Sequence, residues 1–176
     1  MLQLADLGRR IMICGPSNSG KSTLAVAIGR KLDLAVVHLD LLQHLPNTDW
    51  QPRPEAEFAQ LHDAAIAGDA WVMDGNYSRH FPARLERATG IVLIGDNRWA
   101  NFRRYLWRTV MQKDRAGNLA GGKDSLKWEM VRWILIASPK SIRRYHITLP
   151  QAGLPFVESR SMRELKHLYE NWGLQR

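Results

Sequence analysis

Short apolar runs alternate with longer amphipathic stretches along the chain. Each run spans four to six residues and stops at a glycine or a charged residue. Short, continuous apolar runs of this kind are typical of strands that are buried on both faces of a parallel sheet. The pattern predicts five strands, at 9–14, 34–39, 70–73, 90–95 and 154–157.

Between the strands, apolar residues recur at the spacing of a helix. The clearest case is 21–32, where Leu24, Ile28 and Leu32 fall on one side. Strands that alternate with helices predict an α/β fold, a three-layer sandwich whose parallel sheet is covered by helices on both faces. The other predicted helices cover 55–67, 79–88, 98–112, 124–137, 138–149 and 161–173.

Composition narrows the class of protein. The chain has 176 residues, 45% hydrophobic and 24% charged, which predicts one folded domain over 1–176. Its single cysteine, Cys14, excludes a disulfide within the chain and is predicted to be a buried small residue. No apolar run approaches the roughly 18 residues of a membrane span, and residues 1–10 carry charge where an export signal is apolar. We therefore expect a cytoplasmic protein without membrane contact, as a monomer or a homodimer.

Positive charge is concentrated in one segment. The chain carries a formal charge of +8, but residues 98–146 alone hold twelve Lys and Arg against three acidic residues. Such a segment suits a surface that binds nucleic acid, or a lid that closes over a phosphate-rich small ligand. Gly117, Gly121 and Gly122 would let the segment move as a lid.

Gly15 to Ser22 fit the pattern G-x-x-x-x-G-K-[ST] between the first predicted strand and helix. The two glycines allow successive amides to converge on phosphate oxygens, and the following helix adds its positive dipole end. Lys21 would reach the outer phosphates of ATP, and Ser22 would bind Mg²⁺. The residues predicted to bind the nucleotide here are Gly15, Ser17, Asn18, Ser19, Gly20, Lys21, Ser22 and Thr23.

Two acidic residues follow predicted strands, where ligands of parallel sheets bind. Asp74 comes directly after Trp71-Val72-Met73 and is predicted to organise Mg²⁺, to act in catalysis and to contact the acceptor. Asp40 ends the second strand and is predicted to meet the phosphate acceptor as a ligand or base. His38, inside the same apolar run, is predicted to be a packed histidine.

Several arginines are candidates for binding anions. Arg104, Arg108 and Arg115 would share one narrow helix face, where an anion would relieve their repulsion. We predict that Arg104 binds the nucleotide and that Arg108 and Arg115 neutralise the transferred phosphoryl group. Arg53 and Arg84 are candidates for an anionic group of the acceptor.

From Ile11 to about Trp172 the chain resembles the P-loop nucleoside and nucleotide kinases. The residues Gly75-Asn76-Tyr77-Ser78-Arg79, after Asp74, are similar to the Asp-Gly-Phe-Pro-Arg motif of adenylate kinases. Together with Trp50, Trp71, His38-Leu39-Asp40 and the arginine helix, they resemble more closely the bacterial adenylate-kinase-like proteins labelled DNA topology modulation proteins.

The resemblance implies the fold of a P-loop kinase with five strands, the use of ATP and Mg²⁺, and a basic helical lid over 113–146. It also implies that Gly75 and Asn76 bind the acceptor, and that Ser159 and Arg160 help to hold the adenine ring. Asn76 and Tyr77 replace the phenylalanine and proline of the adenylate kinase motif, which argues against AMP as the acceptor.

Two functions follow from these observations. The first is a phosphotransferase that uses a nucleotide triphosphate and a nucleoside, a nucleotide or another small hydroxyl compound, with Lys21, Asp40, Asp74, Arg108 and Arg115 in catalysis. The alternative is a nucleotide-dependent protein that binds nucleic acid through its basic segment.

Overall fold

The computed structural model of the protein describes residues 2–95, 98–111 and 138–175, together with Trp128 and Arg132. Within these residues the strands are β1 (Arg10–Cys14), β2 (Ala35–His38), β3 (Trp71–Asp74), β4 (Gly90–Ile94) and β5 (Phe156–Ser159). The helices are α1 (Lys21–Leu32), α2 (Leu39–Gln43), α3 (Glu55–Ile66), α4 (Phe81–Arg87), α5 (Arg98–Met111), α6 (Ser138–Thr148) and α7 (Met162–Asn171). Short 3₁₀ turns cover Leu4–Leu7, Ser78–His80 and Pro150–Ala152.

The five strands form one parallel sheet in the order β2-β3-β1-β4-β5. Asp74, at the end of β3, is in register with Ile13 of β1 on one side and with His38 of β2 on the other. The carboxyl ends of β1, β2 and β3 therefore meet at one edge of the sheet, where the loops that follow them lie close together.

Hydrophobic residues cover both faces of the sheet. Successive side chains of β1 point to opposite faces, so Ile11 and Ile13 enter one cluster while Met12 and Cys14 enter the other. The first cluster is completed by helices α1 and α7, and the second by α3, α4 and α6. The result is the predicted α/β sandwich of three layers.

Within the described residues, the predicted elements form close to their expected positions, and the second strand shows the most informative difference. It ends at His38 because Leu39 opens the short helix α2, which the sequence did not predict. Leu39 packs against Gly75, where an added Cβ would lie 2.8 Å from the Cβ of Leu39. His38, rather than Asp40, therefore takes the last position of the strand, beside Asp74.

Most of the expected lid over 113–146 lies outside the described residues. So does the predicted helix over 124–137, apart from Trp128 and Arg132, and so do the three glycines Gly117, Gly121 and Gly122. Its last part, 138–146, belongs to α6, whose Ile142 and Tyr145 are buried against the sheet. Within the described part of the chain, no helix has the length and the apolar character needed to cross a membrane.

Candidate functional site

The loop between β1 and α1 has the backbone that a phosphate-binding loop needs. Gly15 has a φ of +153°, and a Cβ there would lie 2.4 Å from the carbonyl oxygen of Ile94, so only glycine fits. Gly20 has a φ of +90° and lies directly before the first residue of α1, Lys21. The amides at the start of α1 therefore face the loop, where a helix attracts anions.

Polar groups of this loop suit a phosphate ligand. Lys21 Nζ donates a hydrogen bond to the carbonyl oxygen of Pro16, at 2.8 Å, so the ammonium group lies over the loop. The Ser19 hydroxyl and the Asn18 amide are buried without a hydrogen-bond partner among the described residues. Because buried polar groups are nearly always paired, these atoms fit a loop that acquires further partners when it binds phosphate.

Asp74 lies at the end of β3 and is buried. Its Oδ2 accepts a hydrogen bond of 2.6 Å from Ser22 Oγ, at the start of α1. A serine hydroxyl beside a carboxylate is the oxygen donor set that Mg²⁺ takes in nucleotide sites. The two residues predicted for the metal are thus brought into contact, 52 positions apart in sequence.

His38 contacts the other carboxylate oxygen of Asp74 through its Nδ1. This histidine was predicted from the sequence to be a packing residue, and its place in the site was missed. A histidine at the end of a predicted strand was visible in the sequence, but its role depends on the order of the strands. Strands β2 and β3 are neighbours only in the fold, and their register sets His38 opposite Asp74.

Asp40 lies in the first turn of α2 and is exposed. The Tyr77 hydroxyl donates a hydrogen bond of 2.6 Å to Asp40 Oδ1, and the Tyr77 ring packs against Phe58 of α3. Burial and the charge of Asp40 raise the pKa of Tyr77, so its hydroxyl keeps the proton that it donates. An exposed carboxylate held in this way can accept a hydrogen bond from an acceptor hydroxyl.

Asn76 contacts the phosphate loop. Its Oδ1 accepts from the Gly15 amide at 3.1 Å, and its Nδ2 donates to the Gly15 carbonyl at 2.9 Å. The expected role of Asn76 was to bind the acceptor. In the structure both ends of its amide pair with the backbone of the phosphate loop.

Arg84 of α4 is fully buried, so its guanidinium is not open to an anionic group of the acceptor, contrary to the prediction from the sequence. Its guanidinium donates to the carbonyl oxygens of Gly75, Asn76 and Tyr77. Burial lowers its pKa to about 10, so the group remains charged at neutral pH. The reason for the difference is that α4 lies beneath the turn after β3, and the side chain points into that turn.

Of the remaining candidate arginines, the structure describes the side chains of Arg104 and Arg53. Arg104 Nε donates to the carbonyl oxygen of Asn18 at 2.8 Å, which brings α5 against the phosphate loop. Arg53 pairs with Glu57 on α3, while its Nε is buried without a partner among the described residues. The side chain of Arg108 and all of Arg115 lie outside the described residues.

Ser159 and Arg160 are the residues predicted to hold adenine. Ser159 is the last residue of β5, and Arg160 follows it. Ser159 is buried and its hydroxyl donates to the Ser161 carbonyl at 3.1 Å, whereas the exposed Arg160 pairs with Glu158 at 2.9 Å. Burial alone would raise the pKa of Glu158, but the Arg160 hydrogen bond and the charges of His146 and Arg160 lower it. A cavity of about 360 Å³ beside them is lined by Gly95, Ile142, His146 and Arg160.

Cys14, the last residue of β1, is fully buried as predicted. Burial raises its pKa to about 12, so the thiol stays protonated and is a poor nucleophile. Cys14 is therefore a packing residue beneath the phosphate loop.

Comparison with known proteins shows the fold. A shikimate kinase structure from Bacteroides thetaiotaomicron is similar to this chain with a TM-score of 0.50 and 17% identity, over 92% of this chain and 94% of that one. A gluconokinase structure from Sinorhizobium meliloti 1021 gives a TM-score of 0.44 and 16% identity, over 80% of this chain and 97% of that one. No protein-family model matches the chain, and no curated protein matches it. The chain thus has a three-layer α/β fold similar to that of the shikimate kinase structure.

Proposed function

We propose that the protein transfers the γ-phosphoryl group of Mg-ATP to a hydroxyl group of a small acceptor. The observation that supports this most directly is the contact between Ser22 and Asp74 at the phosphate loop. A hydroxyl and a carboxylate in contact beside such a loop are groups with which a kinase would hold its metal.

The chain's own residues divide the work. Lys21 and the amides of the phosphate loop would hold the outer phosphates, in place of the contact between Lys21 and Pro16. Ser22 and Asp74 would hold Mg²⁺, which would supply positive charge to neutralise the phosphates. Asp40 would accept the proton of the acceptor hydroxyl. The oxygen of that hydroxyl would form a bond to the γ-phosphorus as the bond between this phosphorus and the bridging oxygen breaks and ADP leaves. Arg108 and Arg115 remain candidates for neutralising the phosphoryl group.

The chain between Asp40 and α3 supports a small acceptor. It forms a tight loop, closed by backbone hydrogen bonds from Leu45 to Gln51 at 2.9 Å and from Arg53 to Gln43 at 2.7 Å. A nucleotide acceptor needs a longer binding arm than this loop provides. Small hydroxyl compounds and nucleosides are therefore favoured over AMP as the acceptor. The proposed likeness to adenylate-kinase-like proteins then concerns the binding of ATP and not the binding of the acceptor.

The test is release of ADP from Mg-ATP across a panel of nucleosides, monophosphates and sugar or cyclic hydroxy acids. One class of acceptor is expected to stimulate release in the wild type. Replacing Lys21 with Ala is expected to reduce it by about 100-fold or more, because a charge that stabilises the transition state is lost. Lys31→Ala, an exposed lysine in the last turn of the same helix, is the matched control. Full activity in Lys21→Ala would contradict the proposal.

A second candidate function is binding of single-stranded nucleic acid. Trp99 and Trp107 of α5 are 56% and 63% exposed, and the exposed Arg103 lies between them. At this spacing the three fall on one side of the helix. Aromatic rings beside an arginine suit stacked bases and phosphates. Binding that weakens steeply with salt would support this function, and no binding at low salt would exclude it.

A further inference from the structure

The turn after β3 continues the pairing of β1 and β3 beyond the last residues of the strands. The strand register ends with Ile13 opposite Asp74, and the Gly75 amide donates to the Ile13 carbonyl at 3.2 Å. At the next position, the side-chain amide of Asn76 pairs with the β1 side in place of a backbone partner. It pairs with both the amide and the carbonyl of Gly15, at 3.1 and 2.9 Å. The first glycine of the phosphate loop is thereby held from outside the loop.

Gly15 needs such support because of its conformation. With a φ of +153° it lies where side-chain-bearing residues rarely go, and its backbone passes within contact of Ile94. Glycine loses much conformational freedom on folding, so an unsupported glycine here would leave this conformation readily. The two hydrogen bonds between the Asn76 side chain and the Gly15 backbone oppose that movement.

Arg84 fixes the turn that carries Asn76. Its three hydrogen bonds in the structure go to the carbonyls of Gly75, Asn76 and Tyr77. Removing a charged group from water is costly unless its donors are paired. The carbonyls of this turn pair Nη1 and Nη2 of the guanidinium, while its Nε is buried without a partner among the described residues, so the turn is favoured in the arrangement that keeps these hydrogen bonds. The turn also contains a residue with positive φ that is not glycine, Tyr77 at +38°, which persists only where the surroundings hold it.

We infer that Asn76 is a positioning residue, supported by Arg84, that holds the Gly15 end of the phosphate loop in the shape that binds phosphate. The inference rests on the proposed function, since it concerns the same loop. It replaces the acceptor-binding role expected for both residues with a role on the nucleotide side of the site.

The test measures the affinity of the whole protein for Mg-ADP by calorimetry, without any acceptor. In Asn76→Ala, Gly15 loses both partners and the loop leaves its binding shape for part of the time, which raises the apparent Kd by the inverse of the competent fraction. We expect about a tenfold increase, the equivalent of about 1.4 kcal/mol. Ser78→Ala is the matched control, because Ser78 is two residues away and its hydroxyl faces Arg144 instead.

Binding is measured well below the melting temperature of every variant, with circular dichroism to show that each is folded. A side chain that only stabilises the fold would lower the melting temperature and leave the Kd unchanged, which would overturn the inference. If Asn76→Ala does not fold, Asn76→Asp keeps an acceptor for the Gly15 amide, removes the donor to the Gly15 carbonyl and is expected to weaken binding similarly.

The two proposals fail in different ways. If the wild type binds no Mg-ADP, or if the Lys21→Ala variant binds Mg-ADP as tightly as the wild type does, the proposed function itself is wrong. If Lys21→Ala abolishes binding while Asn76→Ala binds like the wild type, the phosphate loop is functional and only the role of Asn76 is overturned.

Discussion

Asp74 joins two parts of the candidate site at the scale of single residues. One carboxylate oxygen faces Ser22 on α1 and the other faces His38 on β2. Because these partners come from different elements, the position of the carboxylate is set from two sides. A group fixed in this way is suited to orienting metal-bound water, which depends on direction as well as on charge.

Replacing Asp74 with Asn tests this role. The amide keeps the size of the side chain but removes the charge that would face Mg²⁺, so the Mg²⁺ concentration needed for half-maximal ADP release is expected to rise by about 10–100-fold. The measurement is a Mg²⁺ titration at fixed ATP. Asp69→Asn, an exposed change of the same chemistry, serves as control. An unchanged Mg²⁺ requirement in Asp74→Asn would exclude this carboxylate from the metal site.

At the scale of elements, α1 has to lie close to the sheet for its first turn to face Asp74. Gly29, in the third turn of α1, shows how close the helix lies. A Cβ there would lie 2.4 Å from Val36 Cγ2 on β2 and 3.1 Å from the Leu34 carbonyl oxygen. The absence of a side chain at this position lets the helix approach β2. Because the helix is rigid, its first turn also lies close to the sheet, beside Asp74.

Gly29→Ala is therefore expected to destabilise the protein. An alanine inside a helix normally stabilises it by about 1 kcal/mol relative to glycine, but forcing a methyl group into a packed contact costs about 1–3 kcal/mol. We expect a lower free energy of unfolding in urea. Gly68→Ala, where the nearest atom lies 3.8 Å from the added Cβ, is the control and should be nearly neutral. A stabilised Gly29→Ala would show that α1 does not pack this closely.

At the scale of the whole molecule, charge is distributed unevenly. Residues 98–146 hold twelve of the 25 basic residues and three of the 17 acidic ones, so the rest of the chain is close to neutral. Part of this charge faces the site, since Arg104 contacts the phosphate loop. Part of it is exposed on α5 and α6, at Arg103, Lys140 and Arg143.

The exposed part predicts a salt dependence if the protein binds nucleic acid. Three phosphate contacts on a single strand would reduce affinity about 20-fold between 50 and 200 mM salt. The measurement is fluorescence anisotropy with a labelled 20-nucleotide single strand, in the wild type and in a variant with Trp99, Arg103 and Trp107 all changed to Ser. Equal binding by both proteins would remove α5 from such a surface and leave the kinase proposal untouched.

Much of the fold could be predicted from the sequence, because strands and helices depend on local patterns of apolar residues. Helix α1 begins and ends as the spacing of Leu24, Ile28 and Leu32 predicts. The contacts within the site depend on residues far apart in sequence. His38 was predicted to be a packing residue because nothing in its own run of sequence shows that β2 pairs with β3 or that α2 begins at Leu39.

What the sequence determined by itself is the order of the elements, the glycine-containing loop from Gly15 to Ser22 between β1 and α1, and the presence of Asp40 and Asp74 near the ends of β2 and β3. These follow from spacing along the chain, since hydrophobic periodicity and backbone conformation are local properties. Only the tertiary structure decided that Asn76 supports Gly15, 61 positions away, and that His38 reaches Asp74 across 36 positions. Those contacts arise from the strand order and register of the parallel sheet, which brings loops distant in sequence to one edge.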